Sequence, residues 1–311
     1  MNSGQASATA RGAATTFGLA RRGYMFGVLN LYKPAGWSSR DAVNRVQRLV
    51  RPAKAGHAGT LDPIAEGVLV VCVGPATRLI EYVQQAAKQY RATFLLGRSS
   101  ASDDIETEID EAPAARPPTL QEIEAALPGF RGVIRQRPPA YSAIKVDGQR
   151  AYKLARRGDA VELAAREVEV YALSIARYDY PELVLEICCS GGVYVRSLGR
   201  DLAAAAGTCA VMSALVRTAV GDYRIADAID PRGMDAGRLQ AGLLSPLTAV
   251  HGLPQLVLTP GQLEQIHLGG LIEAAFDRPV AAVDEHGRLV AILKPARSGL
   301  LRPSPNFLPM A

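Results

Sequence analysis

Residues 56–69 read Gly56-His57-Ala58-Gly59-Thr60-Leu61-Asp62-Pro63-Ile64-Ala65-Glu66-Gly67-Val68-Leu69. Gly56, Gly59 and Pro63 break both helical and strand periodicity, so Ala55–Glu66 is predicted to be a loop. The apolar run Gly67–Val73 that follows is predicted to be a buried strand. Asp62 stands before a proline, which keeps it out of the helical region. The two glycines let the backbone come close to a ligand. On the local pattern alone Asp62 has two readings: a catalytic carboxylate on a rigid loop, or a turn-former of the kind common before proline. His57 is likewise either a ligand contact or an ordinary loop histidine.

Working outward, Gly27–Tyr32 is a short apolar strand that ends at Lys33-Pro34. Ser38 or Ser39 then caps a helix whose Val43, Val46, Leu49 and Val50 recur at helical spacing. Arg40, Arg45, Arg48 and Arg51 lie on its other faces, and Pro52 stops it. Beyond the loop, Ala76–Ala87 reads as a helix and Tyr90–Leu96 as a strand. The stretch from Ser99 to Pro118 is acidic and then proline-rich, a surface excursion. A helix at Leu120–Leu127 precedes the basic segment Gly132–Arg157, with Tyr141 and Tyr152 among its charges. Val168–Tyr178 and Leu183–Cys189 read as strands and Arg196–Ala206 as a helix, while Ala210–Ala228 is mixed. Near Leu256 the texture changes. Leu256–Thr259 reads as a strand and Pro260–Leu268 as a helix. Val280–Val283 and Leu289–Leu293 form a hairpin around Asp284–Gly287.

The 311 residues fit one large domain and a small one at roughly 100–200 residues per domain. Hydrophobic residues at 48% and charged residues at 21% describe an ordinary globular chain. No apolar run approaches the ~18–20 residues that span a bilayer. The net charge of +5 leans weakly toward polyanions, and its distribution says more. Arg40–Lys54 holds five basic residues against Asp41, and Arg131–Arg157 holds eight against Asp147. Asp103–Glu111 holds six acids and no base. Such runs are either binding surfaces or solvated faces. Cys72, Cys188, Cys189 and Cys209 show no Cys-x-x-Cys pair, and Cys72 and the vicinal pair, in apolar strand-like runs, read as reduced core residues. No cluster has zinc spacing and no phosphate loop or dinucleotide fingerprint is present, so neither metal nor cofactor is expected. Residues 1–23 carry Ala, Ser, Thr, Gly and Arg without an acid. They read as a disordered tail, a transit peptide, or sequence ahead of a true start at Met25.

Four stretches together resemble the TruB family of tRNA pseudouridine synthases. Gly56–Leu69 resembles the family's signature loop, and Gly74-Pro75-Ala76-Thr77-Arg78 continues it. Lys88-Gln89-Tyr90-Arg91-Ala92 resembles the next motif, and Arg137-Pro138-Pro139-Ala140-Tyr141-Ser142-Ala143-Ile144-Lys145 through Tyr152 the third. Cys189-Ser190-Gly191-Gly192-Val193-Tyr194-Val195-Arg196-Ser197-Leu198 resembles the fourth. Four long motifs in order are far more specific than one short pattern. Val193 departs from the family's usual Thr and Ala203 from its usual Gly, which touches local packing or a ribose contact.

The resemblance implies an α+β fold, with a mixed, mostly antiparallel central sheet flanked by helices. It implies a catalytic domain at 24–250, with an RNA-gripping excursion within 99–160, and a small β-rich PUA-like RNA-binding module at 251–311. It implies isomerisation of uridine 55 in the tRNA T-loop to pseudouridine, with Asp62 as catalytic residue and the base extruded from its stack. Arg196 would pair with Asp62. His57, Tyr90, Tyr194 and Leu215 would hold the substrate, with Lys145 a further contact. The partner is the tRNA T-stem-loop, and the chain would act in the cytoplasm as a monomer, without cofactor, membrane or obligate protein partner. The alternatives are a tRNA-binding folding chaperone and a pseudouridine synthase for another RNA.

Overall fold

The computed structural model describes residues 25–111, 116–142, 144–146, 148–155, 157, 163–297 and 299–308. The expectations for residues 1–23 lie outside them. In chain order the first half carries β1 (Gly27–Lys33), α1 (Ser39–Val50), β2 (Ala55–His57), β3 (Glu66–Val73), α2 (Ile80–Gln85), β4 (Lys88–Leu96), β5 (Arg98–Ser100), β6 (Ile109–Glu111), α3 (Leu120–Ala126), β7 (Gly132–Gln136), β8 (Lys145–Val146), β9 (Gln149–Arg150) and α4 (Ala151–Ala155). The second half carries β10 (Arg166–Asp179), β11 (Glu182–Cys189), α5 (Val195–Ala205), β12 (Ala210–Val220), β13 (Tyr223–Arg224), α6 (Ala236–Ala241), β14 (Gln255–Val257), α7 (Pro260–His267), β15 (Ile272–Glu273), β16 (Val280–Val283), β17 (Leu289–Arg297) and β18 (Leu300–Asn306).

The main sheet runs β1-β3-β12-β4-β11-β10-β7, with β2 added to β3 and β13 to β12. Every pairing in it is antiparallel except the seam between β3 and β12, where Glu66 meets Val216 and Gly67 meets Arg217 in parallel. The apolar alternation of these strands buries both faces. On one face Phe94, Leu185, Leu198, Leu202 and Ile123 pack α3 and α5 against the sheet. Elsewhere Leu29, Leu31, Leu69 and Val71 meet Val43, Val46 and Leu239 of α1 and α6.

Residues 255–306 form a separate five-stranded sheet, β14-β16-β17-β18-β15, with its own core around Leu258, Ile266, Val290 and Leu293. It is anchored to the main body. Ala281, Leu289, Ile292 and Phe307 share a cluster with Val28, Val68 and Val70, and the Phe307 and Phe26 rings stand 4.9 Å apart.

Three local expectations change. Ala55–His57 is a strand, because its backbone pairs with Val71–Val73 and so satisfies polar groups that the glycines seemed to leave for a loop. Ala76–Ala87 is two pieces, a 3-10 turn at Gly74–Leu79 and then α2. Gly132–Gln136, inside the basic segment, is an edge strand paired with β10.

Gly199 lies on α5 where a Cβ would sit 1.9 Å from the Phe94 ring. The helix therefore approaches the sheet only because that position lacks a side chain. Gly199→Ala is expected to lower the unfolding free energy in urea titration by about 1–3 kcal/mol. It does so despite the roughly 1 kcal/mol that alanine gains over glycine in a helix.

Candidate active site

The loop carrying Asp62 lies over the β3–β12 seam and is pinned from three sides. Ser38 caps α1 through a capping box with Asp41, which turns the next residue, Ser39, inward. The buried Ser39 hydroxyl donates to the Leu61 carbonyl (3.1 Å) and accepts from the Leu61 amide (2.8 Å). From the turn after β1 the Gly36 amide reaches the Pro63 carbonyl at 2.8 Å. From β12 the buried Arg217 guanidinium donates to the carbonyls of Val68 (2.7 Å), Gly59 (3.1 Å) and Thr60 (3.4 Å).

Lys33 completes this floor. It is fully buried, and its Nζ donates to the carbonyls of Pro34 (3.0 Å), Trp37 (2.5 Å) and Pro63 (3.5 Å). Burial pushes its pKa down to about 8, although the Asp62 carboxylate pulls the other way. Two buried cations thus bond to backbone carbonyls beneath the loop. Gly67 is required at the seam, since its φ is +103° and a Cβ there would lie 2.3 Å from the Arg217 carbonyl oxygen.

Asp62 meets Arg196, with Nη2 3.0 Å from Oδ2. Arg196 is the second residue of α5 and only 4% exposed. It is held by more than Asp62. Its Nη1 donates to the Ser102 carbonyl (2.7 Å) and faces Asp104 Oδ2 at 3.3 Å, and its Nη2 donates to the Tyr141 carbonyl (3.0 Å). Asp104 is completely buried and accepts from the Ser102 hydroxyl (2.5 Å) and the Glu106 amide (3.0 Å). One guanidinium therefore serves two carboxylates. Desolvation raises the Asp62 pKa, and the Asp104 charge adds to the rise. Arg196, helped by Lys33, opposes it without cancelling it.

The remaining predicted residues sit on β2, β4 and β12, just before α5, and on the β8–β9 hairpin. Tyr90 of β4 is in register with Arg217, and Arg217 with Gly67, so one row crosses three strands. Burial raises the Tyr90 pKa while the neighbouring Arg217 opposes the rise, so the phenol is neutral at pH 7. Leu215 lies two residues before Arg217 on β12, opposite Ala92, and is 6% exposed. His57 is half-buried, and burial with the charges of Arg217 and Arg40 lowers its pKa, so the imidazole is uncharged at neutral pH. Its Nδ1 accepts from the Gly59 amide at 3.4 Å. Tyr194 is the residue just before α5, at its N-cap. Lys145 lies on the β8–β9 hairpin opposite Arg150, and its side chain is outside the described residues.

The chain is similar to several known proteins. Residues 47–195 match the TruB family pseudouridylate synthase N-terminal domain. The chain is 41% identical over 240 residues to tRNA pseudouridine synthase B of Nostoc sp., covering 75% of this chain and 81% of that one. The chain belongs to the TruB family. Its similarity to the Chelativorans sp. member is 37% over 312 residues, covering 93% of this chain and 99% of that one. With the Rhodopirellula baltica member it is 46% over 210 residues, 66% of this chain and 60% of that one. The structure in a Cbf5-Nop10-Gar1 complex shares the fold over 92% of this chain and 86% of that one, with a TM-score of 0.70 at 24% identity.

Within this TruB-family chain, sequence reasoning missed three residues that the site uses. Asp104 sits in an acidic run that reads as solvated surface, and only the arrival of Arg196 from α5 buries it. Lys33 reads as a polar strand end. Arg217 did carry a signal, as a lone charge inside the apolar stretch Val211–Val220. The ion-pair geometry makes Arg196→Met costly, by about 3–5 kcal/mol, because Asp104 is left buried without its cation. Adding Asp104→Asn to Arg196→Met should recover part of that loss in a double-mutant cycle followed by urea unfolding.

Proposed function

We propose that this chain converts uridine 55 in the T-loop of tRNA to pseudouridine, with Asp62 as the reacting carboxylate. The observation that carries the reading is the Asp62–Arg196 pair at 3.0 Å on a loop that matches the family's motif. In the reaction the ribose C1′–N1 bond breaks, the freed uracil turns, and C1′ bonds to C5. The C5 proton leaves and N1 gains a proton, so the product is an isomer of the substrate and no redox equivalent is needed. Asp62 acts as nucleophile toward the uridine while its glycosidic bond is broken. That role needs the ionised form. Arg196 favours it against desolvation, and because Arg196 also serves Asp104 it does not fully satisfy the Asp62 charge.

Tyr90, Tyr194 and Leu215 receive the extruded base. Unstacking costs a few kcal/mol, and stacking on an aromatic face returns about 1–3 kcal/mol per base. The neutral Tyr90 phenol keeps its proton as a hydrogen-bond donor. His57, uncharged, contacts the splayed loop of the RNA and takes no proton. Lys145 and the basic residues of the segment around it meet phosphates. We divide the chain into a catalytic unit to about residue 250 and a PUA-like RNA-binding module from 251, and we assign it to the cytoplasm as a monomer without an obligate protein partner.

The test is to incubate the protein with an unmodified tRNA transcript and map pseudouridine by position. Modification at the T-loop uridine is expected, with complete loss in Asp62→Asn and transcript affinity kept within about threefold. Tight binding without modification by the wild-type chain would instead support an RNA chaperone, and modification of a different RNA a paralogous synthase.

A further inference from the structure

The basic segment between β7 and β10 leaves the main sheet at Gln136 and returns to it at Arg166. These two residues are direct cross-strand partners. Both grip Tyr194. Gln136 is 1% exposed, and its side-chain amide brackets the tyrosine backbone. The Tyr194 amide donates to Gln136 Oε1 (2.8 Å), and Gln136 Nε2 donates to the Tyr194 carbonyl (3.0 Å). Arg166 places its guanidinium 5.1 Å from the centroid of the Tyr194 ring and donates to the Gly192 carbonyl at 2.5 Å. Tyr194 is the N-cap of α5 and its own side chain makes no cap hydrogen bond, while the bracket satisfies its backbone amide.

Capping alone does not account for the arrangement, because a cap has no use for a cation on the ring. The segment is joined to α5 at two further points. Arg196 donates to the Tyr141 carbonyl (3.0 Å) and Arg200 to the Arg137 carbonyl (3.3 Å). These contacts tie the segment to Tyr194 and to the guanidinium that pairs with Asp62.

We propose that Gln136 and Arg166 are positioning residues that link the basic segment to the base pocket, so that seating this segment on RNA sets the place of the Tyr194 ring and of Arg196. The inference rests on the tRNA reading above, in which the segment meets RNA. It separates two properties that a simple phosphate contact would join: affinity belongs to the segment, and the rate after binding belongs to its two roots.

The test uses the full chain and measures the dissociation constant for tRNA transcript and the single-turnover rate of pseudouridine formation at saturating protein. Arg166 is exposed, so Arg166→Met should leave the melting temperature unchanged. It is expected to slow the saturated rate about tenfold while the dissociation constant shifts less than about threefold, with Arg166→Lys in between because ammonium covers an aromatic face less well. Gln136→Glu keeps the acceptor for the Tyr194 amide and loses the donor to its carbonyl, and it should slow the same step. An unchanged saturated rate in these variants, with or without weaker binding, overturns the inference and leaves Arg166 at most a phosphate contact. A wild-type chain that makes no pseudouridine removes the reading beneath the inference, and the inference with it.

Discussion

A single buried guanidinium organises the site. Arg196 comes from α5, while its partners come from the Asp62 loop, the Ser102–Asp104 turn and the Tyr141 segment. Burying a guanidinium is costly unless its donors are satisfied, and each partner is drawn toward it. The consequence reaches beyond Asp62. Three stretches that would otherwise be independent surface loops are held against one helix start.

The floor beneath the loop follows the same logic with neutral acceptors. Lys33 and Arg217 are buried cations whose hydrogen bonds go to backbone carbonyls rather than to carboxylates. Neutral acceptors satisfy their donors without cancelling their charge. The loop therefore rests on positive potential, which favours an ionised Asp62 and, above it, the phosphates of a polynucleotide. An uncharged His57 fits the same field, since the neighbouring Arg217 and Arg40 disfavour a further cation.

Much of this is legible in the residues themselves. The apolar runs of β1, β3, β4 and β11 and the spacing of α1 announce their elements, since each buries a face that local chemistry already marks. Asp62 and Arg196 are singled out by motif order, because no local physics separates the proposed catalytic aspartate from one that merely turns the chain. What stays hidden depends on distant pairing. Ala55–His57 becomes a strand only because β3 offers its edge, and Asp104 is buried only because Arg196 arrives. Ser39 reads as a cap until Ser38 takes that role and frees it to pin Leu61. The Gln136–Tyr194 bracket joins the residue before the third motif to the fourth, and their separation in sequence carries no trace of contact.

In the proposed mechanism Arg196 keeps Asp62 ionised in a desolvated pocket, and the direct measurement is the pH dependence of single-turnover pseudouridine formation in the wild-type chain and in Arg196→Lys. The wild-type rate should rise with pH along a limb lying above the ordinary carboxylate range, because burial outweighs the arginine. In Arg196→Lys most of the activity should vanish at neutral pH and the limb should move higher still, since an ammonium cannot reproduce the fork that reaches Asp62, Asp104 and two carbonyls. Near-normal turnover by Arg196→Lys, with its limb where the wild type has it, would contradict the account.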